Sequence, residues 1–159
     1  MTETTKNIDK FRSYAFAFSR INQAIENEFP LEAITMEESI ICDRLRAYKE
    51  ANGLSYKNND GLYKFLDDIT KDLNNKDKYH DLSELLTRIN SWRDDRNKTI
   101  HRVVRTNKSG ESPDLSHRDF IPHAIEVAKT GSQLAREICT ISKKLRREAE
   151  KKTQDSVEE

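Results

Sequence analysis

The sequence predicts an all-α protein, an antiparallel bundle of about five helices. Hydrophobic residues make up only 35% of the chain and charged residues another 35%, a balance suited to helices with one dry and one wet face. Four glycines and three prolines in 159 residues are too few for the many tight turns of a β-rich fold. Apolar residues also recur at steps of three or four along most of the chain. The length suits a single domain, expected over residues 1–148, with residues 149–159 as a charged, frayed tail.

Ile8, Phe11, Tyr14, Phe18, Ile21 and Ile25 mark one face of a first helix, from about Asp9 to Asn27. Pro30 suits the first turn of a second helix, which carries Ile34, Ile41, Leu45 and Tyr48 until Gly53 caps it. After the loop NGLSYKNNDG, the residues Leu62, Phe65, Leu66, Ile69 and Leu73 form a shorter third helix ended by Asn74 and Asn75. Asp81 and Glu84 have the spacing of a capping box, so a fourth helix opens there with Leu82, Leu85, Leu86 and Ile89 inward, leaving His80 in a loop. TNKSGESPDLS reads as a loop, and a fifth helix runs from about His117 with Phe120, Ile121, Ala124, Val127, Ala128, Leu134, Ala135, Ile138, Ile141 and Leu145. Phe16, Phe18 and Phe65 are expected in the core.

The formal charge is zero, so any anionic partner must be met locally. Residues 93–108 hold six Lys and Arg, Arg102 among them, against two Asp; residues 143–152 repeat that excess, and there a solvated helix face is the expected meaning. Cys42 and Cys139 stand far apart in apolar helical surroundings and read as buried free thiols. The N-terminus is polar and acidic, unlike a secretory leader, and no run of about 20 apolar residues could span a bilayer. A soluble cytoplasmic protein is the expectation. His117 and His123 lack the spacing of a helical metal pair, and there is neither a glycine-rich phosphate loop nor a Ser, His and Asp set for acyl transfer. No metal and no cofactor are expected.

The informative stretch is SWRDDRNKTIHRVVR, residues 91–105. With Leu82 at zero on a helical wheel, the apolar residues Leu85, Leu86, Ile89, Ile100, Val103 and Val104 gather within about 60° of it on either side. Arg96 at about 320° and Arg93 at about 20° fall inside that stripe, with Asn97 at about 60° and His101 at about 100° on its flank. A guanidinium aimed at a core needs a partner, and Glu37 and Glu38 on the margins of the second helix's stripe are the candidates. One meaning is therefore a half-buried salt bridge between helices two and four. The other is phosphate chemistry, since arginine offers a fork of donors to phosphate oxygens and histidine exchanges protons near neutrality. Asn97 and His101 are four residues apart on one face, so the amide can orient the ring or bind substrate. Arg96 and His101 lie about 140° apart around the axis, so two copies of the helix in a symmetric dimer would be needed to close both on one phosphate.

The string RNKTIH, Arg96 to His101, on the fourth helix of a small all-helical chain resembles the HEPN superfamily, whose signature is an arginine, commonly followed by a polar residue, with four to six residues before a histidine. The likeness covers the helical order of roughly residues 8–146, and its specific content is six residues long. It implies a metal-independent endoribonuclease, a homodimer with a composite site, in which Arg96 is the motif arginine, Asn97 the polar residue and His101 the motif histidine. A ribose 2′-hydroxyl would attack the adjacent phosphorus, with His101 moving protons and Arg96 stabilising the phosphoryl oxygens. Arg93, Arg102 and Glu38 lie outside the motif and enter as substrate-binding or supporting residues. Many relatives are toxins or antiviral defence factors with an antitoxin or other inhibitor protein. One subgroup has a tyrosine two residues after the histidine, which a nucleotidyltransferase-type partner modifies. Val103 stands there in this chain and puts such a partner in doubt. The alternatives are a catalytically inactive module that binds a nucleotide, RNA or protein, and an unrelated helical interaction protein whose polar gap is a structural ion pair.

Overall fold

The computed structural model describes residues 3–74, 79–104 and 113–155. It consists of α1 (Glu3–Glu26), α2 (Pro30–Ala51), α3 (Leu62–Leu73), α4 (His80–Val104) and α5 (Pro113–Asp155). No strand occurs among the described residues. Cross-helix pairs give the directions. Tyr14 and Arg20 of α1 meet Asp43 and Glu32 of α2, while Tyr48 and Lys49 of α2 meet Asp72 and Asp68 of α3. Arg88 and Trp92 of α4 meet Glu137 and Val127 of α5. In each pair one number rises as the other falls, so these neighbours run antiparallel.

One cluster of buried residues is drawn from all five helices. α5 packs most extensively, against α2 and then α4. The predicted stripe of α3 is wholly buried, as are Leu82, Leu85, Leu86 and Ile89 of α4. Lys49 is buried among them with its ammonium 2.5 Å from Asp68, which also holds Lys64 at 2.5 Å. The α1–α2 corner is tight: Phe29 N–H donates to the Ala24 carbonyl at 2.7 Å, Glu28 takes φ 60°, and Pro30 opens α2 with its φ already set. Gly53 ends α2 at φ 66°, the left-handed conformation where glycine has no steric penalty.

Several expectations shift. Phe16 is exposed, because a residue two positions from both Tyr14 and Phe18 points to the opposite side of α1. Phe18 is half-buried beneath the Arg136 guanidinium, 4.4 Å from its ring centroid. Cys42 and Cys139 are free but only half-buried, and burial pushes the Cys42 thiol up to about 11. His80 belongs to α4 rather than to a loop, and Asp81 sits in the first turn, its carboxylate 3.2 Å from Lys144 of α5. α5 begins at Pro113, four residues before the expected start, and stays helical to Asp155 through most of the segment expected to fray. Arg105, residues 106–112 of the predicted loop, Asn75, and tail residues 156–159 lie outside the described residues, as do the side chains of Val103 and Val104. No helix among the described residues is long and apolar enough to cross a membrane.

Candidate functional site

The break in the apolar stripe of α4 has a cause in the lengths of the helices. α3 has 12 residues and α4 has 25, so α4 rises about 37 Å against about 18 Å for α3. Where α3 begins, Leu62 is still buried, and its neighbour Tyr63 lies under the Arg93 guanidinium at 4.8 Å. Beyond Arg93, α4 has outrun α3, and polar residues replace the apolar ones that α3 would have covered.

Arg96 stands in this open part with its side chain 16% exposed and meets Glu38 of α2 in a close ion pair. Its Nη1 donates to Asn97 Oδ1 at 2.7 Å, while its Nε is buried with no hydrogen-bond partner. Burial draws the guanidinium down from its ordinary value, which lies so far above neutrality that the group stays charged. Arg93 is also half-buried, with Nη2 2.7 Å from Asp94 Oδ1. His101 and Arg102 are exposed on the last turns. Thr99, fully buried, returns its hydroxyl to the Asp95 carbonyl at 2.8 Å, so it needs no other partner.

Of the six residues singled out from sequence, the structure brings Arg96, Asn97 and Glu38 into one hydrogen-bonded group. Arg93 precedes that group by one turn, and His101 and Arg102 follow it. The Asn97 amide oxygen accepts from Arg96, so this oxygen positions the guanidinium. Within one chain the half-buried Arg96 and the exposed His101 face different ways around the α4 axis.

Sequence reasoning missed what lies behind the pair. Glu37, next to Glu38, is fully buried, neither carboxylate oxygen has a hydrogen-bond partner, and burial pushes its pKa up to about 9. It lies against Trp92 of α4 and Gly131 of α5: a methyl group built on Gly131 would come within 2.1 Å of Glu37 Oε2 and 2.7 Å of Trp92 Cζ2. The Trp92 indole N–H donates to the Val127 carbonyl at 2.9 Å. The signal for Gly131 was a glycine in the middle of the α5 stripe, where close backbone approach is the usual reason. The adjacent glutamates of α2 thus have opposite surroundings, Glu38 paired with Arg96 at the opening and Glu37 neutral in the core.

This has a consequence for stability. A carboxyl whose pKa is raised on folding binds its proton more tightly in the native state, so stability falls as pH rises from the unfolded value near 4.5 to the folded value of about 9, and levels off above it. Glu37→Gln removes this dependence and keeps the shape. At pH 7 the variant is expected to exceed the parent by about 3 kcal/mol, a gap that closes below about pH 4.5. Urea melts across this pH range check it, and parallel curves for the two proteins would contradict it.

An open groove of about 370 Å³ lies elsewhere, between α1 and α2, with Lys10, Tyr14, Met36, Ile40 and Asp43 along it. Burial raises the Asp43 carboxyl, but hydrogen bonds from Tyr14, Arg44 and Lys10 outweigh that and hold it near 2. The groove presents no histidine.

No family model, curated protein or solved structure matches this chain.

Proposed function

We propose that the protein is a metal-independent endoribonuclease of the HEPN type, acting as a homodimer and serving as a toxin or antiviral defence effector. The carrying observation is the open end of α4, where Arg96 is held by Glu38 and Asn97 while His101 projects to solvent on the next turn. Tethering at two points fixes the guanidinium plane, the preorganisation that makes a donor effective toward charge developing on phosphoryl oxygens. Exposure leaves His101 accessible to a macromolecular substrate.

In this reading the 2′-hydroxyl of a ribose loses its proton and attacks the adjacent phosphorus. The bond to the 5′-oxygen breaks, that oxygen gains a proton, and a 2′,3′-cyclic phosphate remains. Imidazole suits one of these proton transfers near neutrality, and His101 carries it. Arg96 stabilises the oxygens of the pentacovalent phosphorus, and the exposed Arg102 contributes to holding the strand. DNA lacks the attacking hydroxyl and is not cut. The angular separation of Arg96 and His101 supports a site completed by a second subunit.

Arg96→Ala is expected to lower cleavage about a hundredfold with a stability loss of only about 1 kcal/mol, since Glu38 keeps access to water. Mixing Arg96→Ala with His101→Ala protein under conditions of subunit exchange should restore activity to about a quarter of the parental value, because half the dimers then hold one complete site. If the mixture stays inactive while the parent protein cleaves, the site is not shared between subunits.

The Arg96–Glu38 pair also favours a second reading, a catalytically inactive module that binds a nucleotide, RNA or protein, because the guanidinium is already neutralised within the chain. A parent protein that leaves RNA intact selects this reading.

A further inference from the structure

We infer that Tyr63 and Arg93 form a stacking platform for a base of single-stranded RNA, a subsite next to the catalytic stretch of α4; this rests on the ribonuclease reading above. Tyr63 lies on the first turn of α3 and is 62% exposed, although it belongs to a helix whose other apolar residues are buried. The Arg93 guanidinium stands 4.8 Å from the Tyr63 ring centroid and is tied to Asp94 at 2.7 Å. A cation above one face of an aromatic ring holds the ring in place and leaves its outer surface available. A flat, wet ring so held is poorly explained by core packing and suits the flat face of a base.

The position of the platform strengthens the case. Arg93 lies three residues before Arg96 and four before Asn97, so the three side chains share one face of α4. His101 is eight residues past Arg93, about 12 Å along the axis. A strand whose phosphate reaches Arg96 therefore has neighbouring bases within range of Tyr63. Arg96 supplies positive charge for its backbone one turn from the platform, while the exposed Lys98, 3.4 Å from Asp95, and Arg102 lie on the far side of α4. An aromatic ring beside a guanidinium, with a cation one turn away, is the combination that single-stranded RNA requires: a plane for the base and charge for the phosphates. Every base has a π-face, so the platform selects unpaired over paired RNA without choosing a sequence.

Binding of fluorescein-labelled oligoribonucleotides to His101→Ala protein, which leaves the strand uncut, tests this by anisotropy. Tyr63→Ala in that background should weaken binding of an unpaired oligonucleotide roughly tenfold or more, while Tyr63→Phe retains it. Weak binding of a duplex should be the same with either residue. Replacing one base by an abasic spacer should weaken binding to the Tyr63 protein and have no further effect on the Tyr63→Ala protein. Equal affinity of the Tyr63 and Tyr63→Ala forms, or an equal loss with Phe, overturns the platform. If that happens while parent protein still cleaves RNA, only the platform falls. If parent protein neither binds nor cleaves RNA, the ribonuclease reading falls with it.

Discussion

Replacement of His101 by alanine is expected to reduce RNA cleavage about a thousandfold or more, with the melting temperature unchanged. The two halves of this expectation have separate grounds. The imidazole is exposed and belongs to no part of the buried cluster, so its removal creates no cavity in the core of the described residues. In the proposed reaction the imidazole carries one of the two proton transfers at phosphorus, and alanine has no group to replace it. A toxic protein should also become tolerated when His101→Ala is expressed in cells. Full cleavage by a well-folded His101→Ala protein would remove this residue from the chemistry.

The largest loss of stability is expected from the smallest change, Gly131→Ala. In an exposed helix this substitution would be favourable by about 1 kcal/mol. Here the new methyl would lie 2.1 Å from Glu37 Oε2 and 2.7 and 2.8 Å from two Trp92 ring carbons, distances at which something must move. The indole is 2% exposed and anchored to the Val127 carbonyl, and the Glu37 carboxyl is enclosed. Neither neighbour can swing into solvent, so α5 must retreat from α2 and α4. The net loss is expected at about 2 to 3 kcal/mol, a fall in melting temperature of roughly 5 to 10 °C for a domain of this size. Adding Glu37→Ala should recover part of it by clearing the nearest contact. A Gly131→Ala protein more stable than its parent would show that the helices do not approach so closely.

Those two positions show how unevenly the molecule could be read from its sequence. α2 and α3 were located to within a residue, because Pro30 sets a start, Gly53 sets an end, and strong three-and-four spacing fills the interval. The start of α5 was placed too late because Ser112, Pro113 and Asp114 look like a loop, although proline is at home on a helix's first turn. Capping chemistry misled at α4: Asp81 and Glu84 had the right spacing, but Asp81 pairs with Lys144 of a helix distant in sequence. The Arg96–Glu38 pair was accessible from two helical wheels, since both residues lay toward the faces that meet. Trp92 lies about 80° from Leu82 on the α4 wheel, outside the assumed stripe, yet it is buried. Tyr63 was invisible, as its contact with Arg93 depends on where α3 starts against α4. The solitary burial of Glu37 was equally hidden, for a helical wheel gives angle but not the closeness that Gly131 permits.

We propose that the open end of α4 promotes attack of an RNA 2′-hydroxyl on the adjacent phosphorus of the same strand. It is tested most directly by incubating purified full-length protein with RNA in the presence of a chelator and determining the chemistry of the product ends. The expected products carry 2′,3′-cyclic phosphates on one side of the cut and 5′-hydroxyls on the other, and they are missing when His101→Ala protein is used. Intact RNA, or fragments bearing 5′-phosphates, would contradict the claim.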